Sequence, residues 1–128
     1  MNEKLQIELE VNATLGRLRV TFKNNNSVDL LLRYIYEPSE LVVESDSGQR
    51  AEYYLSFPYG AEVDTFKLIC GQQHSYEIDI AADFIYPSSG NYRAWIQYNT
   101  TQPTAKYSTA MLSSVVAVSN EVRFPVEL

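Results

Sequence analysis

The stretch Ser75–Asn99, SYEIDIAADFIYPSSGNYRAWIQYN, decides how the chain reads. Tyr76, Ile78 and Ile80 alternate with Ser75, Glu77 and Asp79. Past a corner, Tyr92, Ala94, Ile96 and Tyr98 alternate with Arg93, Trp95, Gln97 and Asn99. Successive side chains of an extended chain point to opposite faces, so each segment is expected to be a strand with one face on a core. Between them Ala81–Tyr86 has room for a single helical turn, followed by Pro87-Ser88-Ser89-Gly90. Proline fixes its own φ and glycine tolerates positive φ, so a sharp reversal costs little there.

The same period extends outward from this stretch. Leu5, Ile7, Leu9 and Val11 alternate with Gln6, Glu8 and Glu10, and Leu18, Val20 and Phe22 alternate with Arg17, Arg19, Thr21 and Lys23. One outer face is acidic and the other basic, which suits adjacent pairing of these two strands. In Val28–Tyr36 the consecutive Leu30, Leu31 and Leu32 interrupt the alternation, and the run is expected to cross the core as a central strand. Leu41–Glu44 and Ala51–Phe57 read as strands closed by turn residues, whereas Ala61–Ile69 reads either as a strand or as an irregular loop on the core. Thr100–Ala110 is polar and reads as a long loop. Ser113–Ser119 and Glu121–Glu127 read as two halves of a last strand, with Asn120 at a bulge or kink. Short strands separated by turn signals predict an all-β fold, an antiparallel two-sheet sandwich of roughly seven to nine strands without a disulfide. Residues 1–128 are expected to form one domain.

Composition narrows the function classes. Hydrophobic residues make up 45% of the 128 and charged residues 20%, a globular balance rich enough in apolar groups to bury a core. The formal net charge of −6, with no basic stripe, disfavours nucleic acid and anionic membrane surfaces. No apolar run approaches the length of a membrane-spanning helix. The alternating, acidic start at Met1 does not read as a signal peptide. The chain is expected in the cytoplasm if Met1 is native, and secreted or in the cell envelope if a signal peptide has been removed. The single cysteine, Cys70, excludes an intramolecular disulfide, and its apolar surroundings in Phe66–Gly71 predict a small buried hydrophobe.

Gly90-x-Tyr92-x-Ala94 at the start of a strand resembles the tyrosine corner of immunoglobulin-like sandwiches, in which a tyrosine at the start of strand F bonds backbone across the corner. Ala94 stands at the position of that family's second cysteine, and the one tryptophan is Trp95 on the strand itself, so the resemblance is to the disulfide-free, fibronectin-III-like members. Three pieces in order add a second resemblance. They are Cys70-Gly71-Gln72-x-x-Ser75-Tyr76-x-Ile78-Asp79-Ile80, Ser89-Gly90-Asn91-Tyr92-Arg93-Ala94 and Ser119-Asn120-Glu121-Val122-Arg123-Phe124. They are similar to the β-sandwich module of bacterial secreted or surface proteins, which also stands beside the catalytic domain of deuterolysin-type metallopeptidases. Cys70 occupies the place of that module's proline. The resemblance covers about the C-terminal half and implies a fold and an accessory role, with no active-site residue.

No nucleophile–base pair stands out. With His74 as the sole histidine, a His-Glu-x-x-His zinc site is excluded, and no Gly-x-Ser-x-Gly elbow accompanies it. His74 is expected at a surface or strand edge. Glu44-x-Asp46-x-Gly48 reads as a plain turn in preference to a calcium loop, and Asp79 and Asp83 read as a strand residue and a turn cap. Asn12, Asn25 and Asn99 begin glycosylation sequons of a kind common in a chain rich in Asn, Ser and Thr.

A binding surface remains. With Tyr92, Ala94 and Ile96 facing the core, Arg93, Trp95 and Gln97 belong on the outer face, and a tryptophan beside an arginine is characteristic of interfaces. Two readings of Trp95 stand: exposed, or covered by the Thr100–Ala110 loop. Tyr107 in that loop and Tyr59 between Pro58 and Gly60 complete the candidate protein-binding set, while Gly90, Tyr92 and Ala94 have structural roles. The expected function is a non-catalytic binding or structural module, with no cofactor or metal, that engages a protein partner or a second copy of itself through this strand and the loop after it. The alternative is a protease inhibitor on the same scaffold, for which Thr101-Gln102-Pro103-Thr104 is the one echo.

Overall fold

The computed structural model describes residues 5–12, 16–35, 40–53, 65–101 and 112–128. Among them are eleven strand segments: β1 (Leu5–Asn12), β2 (Arg17–Asn24), β3 (Leu30–Arg33), β4 (Leu41–Ser45), β5 (Glu52–Tyr53), β6 (Thr65–Leu68), β7 (Gln73–Asp79), β8 (Phe84–Ile85), β9 (Gly90–Asn99), β10 (Val116–Val118) and β11 (Val122–Val126). No described residue is helical, and so among the described residues no helix is long and apolar enough to cross a membrane. The fold is all-β and antiparallel. The segment count exceeds the expected seven to nine because β10 and β11 are two pieces along one side of β9, and β5 and β8 are two-residue ladders.

Two sheets enclose one core. The first has the order β1-β2-β7, with Ile7 opposite Phe22 and Val20 opposite Tyr76. The second is built on β9, which pairs with β4 and with both β10 and β11. Alternation delivers Leu18, Val20 and Phe22 from the first sheet and Tyr92, Ala94, Ile96 and Tyr98 from the second into the same apolar cluster. Phe22 meets Tyr98 edge-on across the sheets, with ring centroids 5.3 Å apart, a preferred aromatic geometry. The acidic face of β1 lies beside the basic face of β2, and Lys23 reaches Glu8 at 3.2 Å.

Three expectations are corrected. Val28–Tyr36 is not a central strand: β3 pairs with β6 in a two-stranded ladder, and its Leu31 bonds Ser113 on the other side. The central strand is β9, which is longer and alternates cleanly. Cys70 is exposed, not buried. Apolar burial in its segment ends at Leu68, and Ile69–Gln72 form a tight turn closed by Gln72 N–H to the Ile69 carbonyl, with Gly71 at φ 79°. His74 is half-buried on the core side of β7, packed against Phe66 and hydrogen-bonded to the Tyr34 hydroxyl. Its register partner is the fully buried Phe22, which places it on the inner face.

The corner before β9 is held by two local devices. Asp79 accepts hydrogen bonds from the N–H groups of Ala81 and Ala82, Asp83 accepts one from the Asp79 N–H, and the Asp83 N–H bonds the Asp79 carbonyl, making one closed turn. Tyr92 is fully buried, and its hydroxyl donates to the Ser88 carbonyl at 2.7 Å. Ala94 lies between Val43 and Val122, its register partners on the two flanking strands.

Asn120 marks the break in the last strand. Ser119 bonds Ile96 through both its N–H and its hydroxyl, which receives the Ile96 N–H. The chain then turns Asn120 toward the first sheet. Its Oδ1 accepts the Leu9 N–H at 2.7 Å and its Nδ2 donates to the Leu9 carbonyl at 3.0 Å. The side-chain amide thus does for Leu9 what a neighbouring strand would do.

Candidate functional site

The outer face of the second sheet takes its residues from four strands. Because Tyr92, Ala94, Ile96 and Tyr98 are all buried, β9 turns Arg93, Trp95, Gln97 and Asn99 outward. Gln97 is exposed, while Arg93 and Trp95 are half-buried. The Arg93 guanidinium lies 5.3 Å from the Trp95 ring centroid, a cation–π contact.

Arg93 is heavily engaged. Its guanidinium bonds Glu44 on β4, with Nε to Oε1 at 3.0 Å and a second contact through Nη2, and it lies 3.7 Å from Glu121. Arg123 on β11 continues the chain of charges, to Asp46 at 3.5 Å and Glu121 at 3.7 Å. The hydrogen bond that Arg93 donates to Glu44, with the charges of Glu44, Glu121 and Asp46, pushes the Arg93 pKa further up. Such exposed pairs are worth little to stability individually. They hold the guanidinium beside the Trp95 ring.

Trp95 is neither fully exposed nor part of the core. Its register partner Val42 is on the same face and only 1% exposed, so the sheet is covered at that point. Next to Val42 in the alternation, Glu40 is also buried and takes both oxygens to the Arg33 guanidinium. The covered end of the face is therefore the β4 side. The open end is the β10 side, where Val116 is 59% and Val118 66% exposed. Val118 is the register partner of Gln97, and Val116 that of Asn99. Trp95, Gln97, Val118 and Val116 together form a partly apolar strip beside the charged network.

Of the residues singled out in the sequence, Arg93, Trp95 and Gln97 share this face, and Gly90, Tyr92 and Ala94 stand beneath it in the corner and core. Tyr59 and Tyr107 lie outside the described residues, as do residues 102–110 of the loop. The base of that loop is described: the Thr100 N–H bonds the Val115 carbonyl and the Val115 N–H bonds the Thr100 hydroxyl. Val116 and Val118 were not singled out. Their signal was the alternation in Val115–Val118, where burial of Val115 and Ala117 turns the intervening valines to solvent. Glu44 and Glu121, which position Arg93, come from β4 and from the residue before β11.

No His, Cys, Asp or Glu group of metal-binding size occurs among the described residues. Glu44–Gly48 forms a turn in which the Ser45 hydroxyl receives the Gln49 N–H, and the Gly48 N–H bonds the Ser45 carbonyl. The chain matches no protein-family model and no curated protein.

Proposed function

We propose that the chain is a non-catalytic immunoglobulin-like binding module that engages a protein partner through the outer face of β9 and the segment that follows it. One observation carries this reading: a half-exposed tryptophan, flanked by a fixed arginine, continues into two exposed valines on an otherwise charged face. Aromatic residues and arginine are enriched at the buried centres of interfaces, with charged residues at the rim. The charge network around Arg93 resembles such a rim.

Two further features support the scaffold. The order β1-β2-β7 against β4-β9-β10/β11 corresponds to the A-B-E and C-F-G sheets of immunoglobulin-like sandwiches, and the Tyr92–Ser88 bond has the character of the tyrosine corner. A packing role for His74, engaged by Tyr34 and Phe66, supports the non-catalytic reading.

The test is affinity capture from the source cell with immobilised wild type, Trp95→Ala and Val118→Asp proteins, each checked by circular dichroism for a retained strand spectrum. The reading expects a protein retained by wild type and lost by both variants, with a loss of roughly 2 kcal/mol or more at Trp95 when the purified pair is titrated. Equal retention by all three proteins overturns it.

A further inference from the structure

One edge of the first sheet is left without a neighbour. Among the described strands only β2 runs alongside β7, which ends the order β1-β2-β7. The Ile80 N–H bonds the Gly16 carbonyl just beyond the β2 ladder, while the N–H and C=O of Asp79 both meet Asp83. Inter-strand bonds alternate along an antiparallel pair. The even-numbered residues of β7 therefore bond β2, and the odd-numbered ones turn their backbone groups away from it. Asp83 takes those of Asp79. No hydrogen bond among the described residues reaches the N–H or C=O of Gln73, Ser75 or Glu77. On β1, the opposite edge, Asn120 takes both groups of Leu9. Gln73–Glu77 has none of the proline, lysine or bulge that commonly keeps a strand edge from pairing.

The core face is unsealed along the same edge. Val20 and Phe22 on β2 are fully buried, but their register partners on β7, Tyr76 and His74, are only half-buried. The half-buried rings of Phe66 and Tyr34 pack on these two, with centroids 4.6 Å apart for Phe66–His74 and 4.9 Å for Tyr34–Tyr76. A strand added beyond β7 lays alternate side chains over this aromatic seam. Its other side chains stand opposite Gln73, Ser75 and Glu77, and opposite charges stabilise directly facing pairs. Glu77 is the one charge in that row, on a chain of net charge −6. A second copy fits badly. Paired symmetrically about Ser75, it brings its Gly71 opposite Asp79, where Asp83 already stands. A separate segment can end short of Asp83.

We propose that the Gln73–Glu77 edge of β7 receives an extended segment of a partner protein as an added strand, with lysine or arginine opposite Glu77 and apolar residues over Tyr76 and His74. Main-chain bonds to a free edge supply affinity, and alternate side chains supply specificity. The inference goes beyond the Trp95 face, since it lies on the other sheet and uses backbone groups in place of the β9 side chains.

The probe is a blocked seven-residue peptide alternating lysine with valine, added to the full isotope-labelled chain and followed by amide hydrogen exchange. The Ser75 and Glu77 amides should exchange fast in the free protein and slowly with the peptide, an effect that weakens as salt is raised. The glutamate-for-lysine peptide should bind roughly fivefold or more weakly, the effect of reversing one facing charge pair, and a backbone N-methylated peptide should give no protection. Glu77→Lys should reverse the preference between the two charged peptides. The proposal is overturned by absent protection with the lysine peptide, by equal binding of the glutamate peptide, or by protection elsewhere alone. Slow exchange at Ser75 and Glu77 without peptide also overturns it. If independent of protein concentration, that result would assign the edge to cover by the chain itself, and if it grows with concentration, to a second copy.

Discussion

The phenol of Tyr98 holds both backbone polar groups of Arg33: its oxygen accepts the Arg33 N–H at 3.0 Å and its proton goes to the Arg33 carbonyl at 2.9 Å. The Arg33 guanidinium in turn lies 5.1 Å from the Tyr98 ring centroid and bonds Glu40 with both arms. Tyr98→Phe removes two hydrogen bonds and is expected to cost about 2 kcal/mol in urea denaturation, at roughly 1 kcal/mol for each. Burial pushes the Tyr98 pKa from 10.0 up to about 12. A folded pKa above the unfolded one means that this stability is complete below pH 10.0 and is lost as the pH rises toward about 12. Tyr86 is also shifted upward, chiefly by burial. Tyrosinate absorbance should therefore show late titration that coincides with alkaline unfolding, and one tyrosine fewer in the late step for Tyr98→Phe.

One of the two devices at the corner before β9 is a single bond that can be deleted without creating a cavity. Tyr92→Phe keeps the buried ring and loses the bond to the Ser88 carbonyl. It should lower stability by about 1 kcal/mol with an unchanged denaturant slope. An unaltered midpoint would show that the hydroxyl does not stabilise the corner.

Asn120 joins the sheets by its side chain alone. Asn120→Ala should lose about 2 kcal/mol, from two neutral hydrogen bonds, and the Leu9 amide should exchange faster. Asn120→Asp keeps an acceptor for the Leu9 N–H but sets a carboxylate against the Leu9 carbonyl. Its Leu9 amide should stay more protected than in the alanine variant, even if overall stability falls as far. Identical exchange at Leu9 in wild type and Asn120→Ala would refute the clamp.

Asp79 gives the chain an acid-side dependence. Its carboxylate is held below its usual pKa of 3.8 first by the Ala82 N–H, then by the Ala81 N–H, with a smaller contribution from Arg17. A lowered folded pKa makes this contribution complete above the unfolded value and lost as pH falls through the folded one. Asp29, bonded by the Cys70 N–H, behaves in the same direction. Midpoints measured from pH 5 downward should fall less steeply in Asp79→Asn than in wild type, the window set by carboxylate titration. Parallel curves would contradict the assignment.

Period-two alternation made much of this molecule legible. It identified the buried rows of β1, β2, β7 and β9, the acidic–basic pairing of β1 with β2, and the kink at Asn120, because strand faces depend on adjacent residues alone. It failed where apolar character outlasts the strand. Leu68-Ile69-Cys70 looks continuous, yet the turn through Gly71 begins at Ile69 and carries Cys70 into solvent. Val28–Tyr36 has no phase to read, and its pairing with β6 depends on a segment far along the chain. The candidate face was legible to the extent that it lies on β9. The partners of Arg93 come from β4 and the stretch before β11, so only the non-local strand order brings Glu44 and Glu121 to it. Val118 and Ile7 line one groove for the same reason, on strands at opposite ends of the sequence.

The exposed turn at Cys70 has a practical consequence. The chain contains one thiol and one tryptophan, and the fold sets them on different sheets, with Cys70 at the loop entering β7 and Trp95 in the middle of β9. A maleimide acceptor dye on Cys70 therefore yields a single-donor, single-acceptor energy-transfer ruler across the molecule, without engineered labelling positions. Separation of the sheets lengthens that ruler. A change confined to one sheet alters the dye anisotropy or the tryptophan quantum yield and leaves the distance unchanged. Docking on the β9 face can thus be distinguished from opening of the sandwich in the unmutated protein.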